Sequence, residues 1–317
     1  MEFLKLNLMK KVSFFLFVMT ITLSFSQKGN LYNKENSKLP EDEIWSICVD
    51  AKSSKFLGMS KSGIAKFNEL NFKIYDQNNS IISGEYISPI FADSNNNVWA
   101  FMNNPDVLLK YSNKSWEKIK SSLLKGSLVD IFEDKKSNIY ICFLNKVIVF
   151  NGVSWSRINT PKIKFNYRCI SIGANGEIAI GHNNGLLLKK NDKWIELNEK
   201  NSELQSSVLS LFYDNENKLY IGYGGDVKGG LSIYNEEKWI HYNKGNSNLS
   251  DNLIRDIEID DDGSLWLATN HGLNKFKDGK FKPFIFREKS SVITDISIEG
   301  NIVWAATHFG LVRFEEN

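Results

Sequence analysis

The chain has 317 residues, 42% hydrophobic and 13% aromatic, with 39 lysines and arginines against 37 acidic residues and a net charge of +2. With charge so nearly balanced and no basic tract beyond the N-terminal lysines, the composition argues against a nucleic-acid or anionic-membrane partner held by counterion release. Cys48, Cys142 and Cys169 are odd in number and lack metal-ligand spacing, so they read as small buried apolar side chains.

Residues 1–26 combine Lys5, Lys10 and Lys11 with an apolar run from Val12 to Phe25 and small residues, Ser24 and Ser26, before Gln27. That is the pattern of a secretory signal peptide, and the apolar run is short against the ~20 residues that span a bilayer. Three lysines and Glu2 lie in this segment, so its removal leaves 36 basic and 36 acidic residues. No cysteine stands at the cleavage site to accept lipid, and the expectation is an exported chain, periplasmic or extracellular, with no membrane span in residues 27–317.

From there the chain is a repeat. Aligned on the aromatic position of a second strand, the units centre on Phe56, Trp99, Tyr140, Ala179, Tyr220, Trp266 and Trp304, at spacings of 43, 41, 39, 41, 46 and 38 residues. Seven units of roughly forty residues predict an all-β fold, a seven-bladed β-propeller with four antiparallel strands per blade. First strands should begin at Ile44, Ile87, Leu128, Tyr167, Val208, Ile254 and Ile293. The turn that follows carries Asp50, Asp93, Asp134, Asp214 and Asp260, with Gly173 and Glu299 as exceptions. Three residues later stand Ser53, Asn96, Ser137, Gly176, Asn217 and Gly263, the chemistry of a tight hairpin. The same pattern makes Asp260-Asp261-Asp262-Gly263 a turn rather than a calcium loop, which needs six or more oxygens.

Third strands restart at Gly63, Gly185, Gly230, Gly272 and Gly310, while Val107 and Lys146 replace the glycine in units two and three. Fourth strands are marked by Phe72, Trp116, Trp155, Trp194, Trp239 and Phe281. One aromatic per blade at a fixed place is expected to pack between sheets rather than to stack on carbohydrate. The seventh unit stops at Phe314-Glu315-Glu316-Asn317 with no fourth strand, and Leu31 to Pro40 repeats the tail of the fifth unit, His241 to Ser250. The N-terminal segment should therefore pair with the C-terminal blade and close the ring, so that residues 27–317 form one propeller.

The motifs Asn36-Ser37-Lys38-Leu39, Asn201-Ser202-Glu203-Leu204 and Asn246-Ser247-Asn248-Leu249, with Asp260 to Leu273 (DDDGSLWLATNHGL), resemble the two-component regulator propeller repeats of bacteria. The resemblance covers essentially all of residues 27–317. It implies ligand sensing, commonly of polysaccharide fragments, as in the extracytoplasmic regions of membrane histidine kinases. The sequence carries no kinase part, so the expected role is a non-catalytic exported binding or interaction module. Its expected partners are a glycan, peptide or protein, with a membrane sensor or envelope protein as candidate. A monomer is expected, with no cofactor and no metal.

Loops joining blades share one rim with loops joining second to third strands, and propeller ligands usually meet that rim and the channel mouth, an argument from fold analogy. His182, His271 and His308 fall in the second-to-third-strand loops, as a catalytic or metal-binding cluster or as polar rim residues. The second inner-strand position holds Trp45, Ser88, Val129, Arg168, Leu209, Arg255 and Thr294; the third holds Ser46, Pro89, Asp130, Cys169, Ser210, Asp256 and Asp295. Strand alternation should turn one of these sets into the channel. The candidate ligand-binding residues are Trp45, Asp130, Arg168, Arg255, Asp256, His271 and His308. The alternative, a metal-assisted lyase or hydrolase at the channel mouth, would use His271 and His308 with Asp256 or Asp295. The longer fifth-unit loop, Tyr223 to Gly230, is the rim's main departure from the repeat and a candidate for specificity.

Overall fold

The computed structural model describes residues 29–315 apart from 69–70, 84–85, 226, 236–237 and 286–291, so the expected signal peptide lies outside the described residues. Hairpin turns of the Asp-x-x-Asn/Gly kind fold each unit into a four-stranded antiparallel sheet, and seven such sheets form the ring. Among the described residues there is no helix, and none is long and apolar enough to cross a membrane.

The inner strands of blades 1 to 7 are Ile44–Val49, Ile87–Ala92, Leu128–Glu133, Tyr167–Ile172, Val208–Tyr213, Ile254–Ile259 and Ile293–Glu299. Each starts at the residue expected from the repeat. Blade 6 continues through Leu265–Thr269 and Gly272–Lys277 to the outer strand Lys280–Phe284. The turn before its second strand is held by Asp260, whose Oδ1 accepts the backbone N–H groups of Asp262 and Ser264 at 3.2 and 2.8 Å. Gly263 closes that turn with φ of 79°. Lys275 (to Asp260 and Asp262) and Lys277 (to Asp262) offset the turn's carboxylates at 3.1 to 3.5 Å.

Blade 7 takes its outer strand from the other end of the chain. Asn30–Tyr32 pairs antiparallel with Gly310–Glu315, setting Asn30 opposite Arg313, Leu31 opposite Val312 and Tyr32 opposite Leu311. This supplies the fourth strand that the seventh unit lacks and removes its open edge.

The core is divided by the ring into clusters between neighbouring blades. Ile44, Leu57, Phe67, Trp304 and Leu311 pack between blades 7 and 1, and Trp266, Leu273, Phe284, Ile293 and Phe314 between blades 6 and 7. The fourth-strand aromatics contribute unequally: Trp116 is buried, whereas Trp155, Trp194 and Trp239 are half-buried because an outermost strand has solvent along one flank. They pack inward all the same, with Trp155 stacked on Phe150 at 4.8 Å and Trp239 4.6 Å from Tyr234.

Candidate functional site at the channel mouth

The seven inner strands enclose a central channel with a cavity of about 460 Å³. Strict alternation would turn one set of side chains into it, but every inner strand breaks register after its first residue. In blade 6, Ile254 faces Thr269 and Asp256 faces Ala268, which leaves Arg255 as the extra residue of a β-bulge. A bulge suspends the period-two rule, so the second and third positions both line the channel, Arg255 with Asp256 and Arg168 with Cys169. The expected choice between the two sets is thereby corrected.

The acids deeper in the channel are used by the scaffold. Asp130 accepts the backbone N–H of Ile131 and of Ile170 in the next blade, both at 2.8 Å. Asp256 does the same for Ile257 at 2.8 Å and Ile296 at 3.1 Å. Asp295 serves Ile296 at 3.1 Å and, across the ring closure, Ile47 at 2.8 Å. In blades 1 and 5 the same position is serine, and the hydroxyls of Ser46 and Ser210 donate to the carbonyls of Ile87 and Ile254. Burial pushes Asp130 up to about 7 and, together with Asp256, pushes Glu258 up to about 8. Burial also raises Asp256, and raises Asp295 well above the usual carboxylate range, helped by the charge of Asp256 and a hydrogen bond to it. The hydrogen bond between the two carboxyls acts in opposite directions on them, raising Asp295 and lowering Asp256.

At the mouth the groups are different. The Arg168 Nε donates to Asn183 Oδ1 at 2.6 Å, and Arg255 donates from Nε and Nη2 to Asn270 Oδ1 at 3.1 and 3.0 Å. Both guanidiniums are exposed, and burial of its inner part lowers Arg255 from its ordinary value. On blade 1, Trp45 lies edge-on to Tyr86 with ring centroids 4.9 Å apart and against His308 of blade 7 at 4.7 Å. Its indole N–H is buried and has no hydrogen-bond partner in the structure.

The three rim histidines do not form one cluster. His182 ends the strand Ile178–His182 and is fully buried, stacked on Phe165 at 5.7 Å; burial lowers it to about 4, so it stays neutral. His271 is exposed and its Nδ1 bonds Asp251 Oδ2 at 2.5 Å, while Asp251 Oδ1 accepts the N–H of Leu253. His308 is exposed beside Trp45, and neither it nor His271 lines the channel cavity. Among the described residues no group of three or more His, Cys, Asp or Glu side chains is placed to hold a metal ion. Asp256 and Asp295 are likewise committed to backbone N–H groups rather than to either imidazole.

The fifth-blade loop crosses the rim between the two arginine-bearing blades. Gly224 N bonds Ser207 O at 3.0 Å and Gly230 N bonds Asn252 O at 2.6 Å, which ties the loop to the connections before blades 5 and 6; Asp226 lies outside the described residues. Four contributors were missed by sequence reasoning: Asp251, Asn183, Asn270 and Tyr86. For the two asparagines a signal existed, since Arg168 and Arg255 each stand fifteen residues before an Asn in the corresponding loop.

Residues 248–271 match the model of the two component regulator propeller family. The matched segment covers the approach to blade 6 and its first two strands, one unit of the seven-bladed β-propeller. A search of curated proteins finds no match. Among solved structures it is similar to a streptogramin B lyase (TM-score 0.75, 12% identity, covering 92% of this chain and 98% of that one). It is also similar to virginiamycin B lyase from Staphylococcus aureus (TM-score 0.73, 12% identity, 90% and 98% covered). A third is YCF48 bound to D1 peptide (TM-score 0.67, 15% identity, 91% and 95% covered). At these identities the likeness is one of fold.

Proposed function

We propose that the chain is an exported, non-catalytic binding module that holds a ligand at the mouth of its central channel. The observation that carries this reading is the division of labour along the channel. Asp130, Asp256 and Asp295 inside it are tied into inter-blade hydrogen bonds, while Trp45, Arg168 and Arg255, which the blade repeat does not dictate, line the opening. Concave sites with a few convergent polar groups are where small ligands and chain ends bind. The lysine-flanked apolar run of residues 1–26 supports export. Thermal-shift screening of the purified protein against glycan and peptide panels tests the reading. Binders are expected to raise the melting temperature and to lose that effect in Trp45→Ala and Arg168→Ala, whereas the absence of any binder would sink it.

A second reading is favoured by one observation, the His271–Asp251 pair. An exposed imidazole oriented by a buried carboxylate has the geometry of a general base, with Nε2 free to take a proton and Asp251 placed to stabilise the imidazolium. Incubating each binder with the protein and weighing it by mass spectrometry separates the two readings. A change of mass that disappears in His271→Ala is expected of an enzyme, and none is expected of a binding module.

A further inference from the structure

Arg168 and Arg255 occupy the same bulged position in blades 4 and 6, one on each side of blade 5, and both line the channel mouth. Each is held in place by the amide oxygen of an asparagine, which orients a guanidinium without neutralising it. Neither has a carboxylate in ion-pair reach among the described residues, whereas lysines elsewhere are matched, as in Lys55–Glu299 at 3.1 Å and Lys275–Asp260 at 3.1 Å. Asp251, the acid whose charge acts on Arg255, is already engaged by His271 and the N–H of Leu253.

Leu209 and Trp45, which lie between and opposite the arginines, carry no charge. Blade 5 contributes Leu209 and the bare backbone of Gly224, where an added Cβ would stand 2.9 Å from Ser207 Oγ and 3.0 Å from Leu209. Blade 1 contributes the ring of Trp45, packed on Tyr86 and His308. The exposed cations at the mouth are thus the two guanidiniums, and the nearby acid Asp251 is already engaged. Fixed guanidiniums with free N–H groups, spared the entropy of being ordered by the ligand, are suited to bidentate recognition of carboxylates.

We propose that the ligand held at this mouth is a polycarboxylate, with one carboxylate on Arg168, a second on Arg255 and its backbone crossing over Leu209. The inference rests on the reading of the mouth as a binding site and adds the chemistry of what binds there. Asp130, Asp256 and Asp295 do not oppose it strongly: their oxygens accept backbone N–H groups, and Asp256 and Asp295 hydrogen-bond one another.

The probes are trigalacturonate, its methyl ester and a penta-glutamate peptide, titrated calorimetrically against the full chain. At least one acid is expected to bind, more weakly in about 0.5 M salt, and the ester is expected not to. Arg168→Gln and Arg255→Gln should each weaken binding about tenfold or more, while Lys135→Ala in the turn on the opposite rim leaves it unchanged. Melting curves without probe establish that the variants are folded. Binding of trigalacturonate alone identifies a saccharide source, and binding of the peptide alone a peptide source. Binding of neither acid, equal binding of the ester, or unaltered binding by both glutamine variants overturns the proposal. A neutral ligand that requires Trp45 would overturn it while leaving the binding reading intact, and no ligand in any panel would remove both.

Discussion

Asp256 and Asp295 sit on adjacent inner strands and hydrogen-bond one another while each also accepts a backbone N–H from the following blade. Burial raises both, and the charge of Asp256 raises Asp295 further, so the folded protein holds protons that the unfolded chain releases near pH 4. Folding therefore takes up protons in this range: the cost is absent below the unfolded value and grows as pH rises through the folded ones, about 7 for Asp130 and about 8 for Glu258. Stability measured by urea unfolding should decline between about pH 5 and about pH 8. Asp295→Asn should flatten that decline and be the more stable protein at the alkaline end. An asparagine keeps an acceptor for Ile47 N and donates to Asp256 as the protonated acid does. A wild-type profile that rises over the same interval would contradict this assignment. The presence of these acids was visible in the sequence, but their use was not, because the N–H groups they accept belong to blades forty residues and more away.

In five of the seven blades, one turn acid and one aromatic form an anchor. The indole N–H groups of Trp99, Trp266 and Trp304 donate to Asp93, Asp260 and Glu299 at 2.7 to 2.8 Å, and the hydroxyls of Tyr140 and Tyr220 donate to Asp134 and Asp214 at 3.2 Å. Blade 4 has lost both partners together, with Gly173 and Ala179 in their places, and the space beside Ala179 is filled by Tyr213 and Tyr234 of blade 5. The interface is kept by exchanging which blade supplies the ring. The Asn-Ser-x-Leu motif is equally structural: Asn246 Nδ2 bonds His241 O, Ser247 Oγ bonds Asn243 O, and Leu249 enters the core. Asp76 to Ile82 repeats that turn, with Asn79 on Ile74 O and Ser80 on Asp76 O, although its sequence departs from the motif. Second strands also need a small residue opposite the bulge. A Cβ on Gly58 would stand 2.2 Å from the carbonyl oxygen of Ile87 in the next blade. Gly58→Val is expected to cost about 3 kcal/mol in urea unfolding, and a change below 1 kcal/mol, on the order of a tolerated surface substitution, would show that the blades can separate freely.

Blades 7 and 1 are joined by more than the strand Asn30–Tyr32. Asp295 and Ser297 accept from Ile47 and Val49, Thr294 donates to Ile44 O, and the buried Lys55 pairs with Glu299 over the ring of Trp304. A closed ring makes each interface depend on all the others, unlike an open stack of repeats whose units contact only their neighbours in line. Leu31→Asp, which puts a charge into the closing strand where Leu31 packs on the blade 6 to 7 core, should lower the melting temperature by roughly 5–10 °C. It should also broaden the transition, and size-exclusion chromatography should show association through the freed edge of Gly310–Glu315. An unchanged, sharp transition would place ring cohesion in the polar bonds alone.

The sequence by itself determined the seven blades, their strand starts, their turns and the pairing of the two ends, because these depend on local periodicity and turn chemistry that recur every forty residues or so. That the loops joining blades and those joining second to third strands share one rim also followed from strand direction. Only the tertiary structure decided which residues meet. It showed that a bulge sends both Arg255 and Asp256 to the channel, that Asn183 and Asn270 hold the two arginines, that His182 is buried while Asp251 orients His271, and that Trp45 meets His308 across the ring closure. Such contacts join residues from different blades or across a register shift, and neither hydrophobic period nor spacing along one chain carries that information.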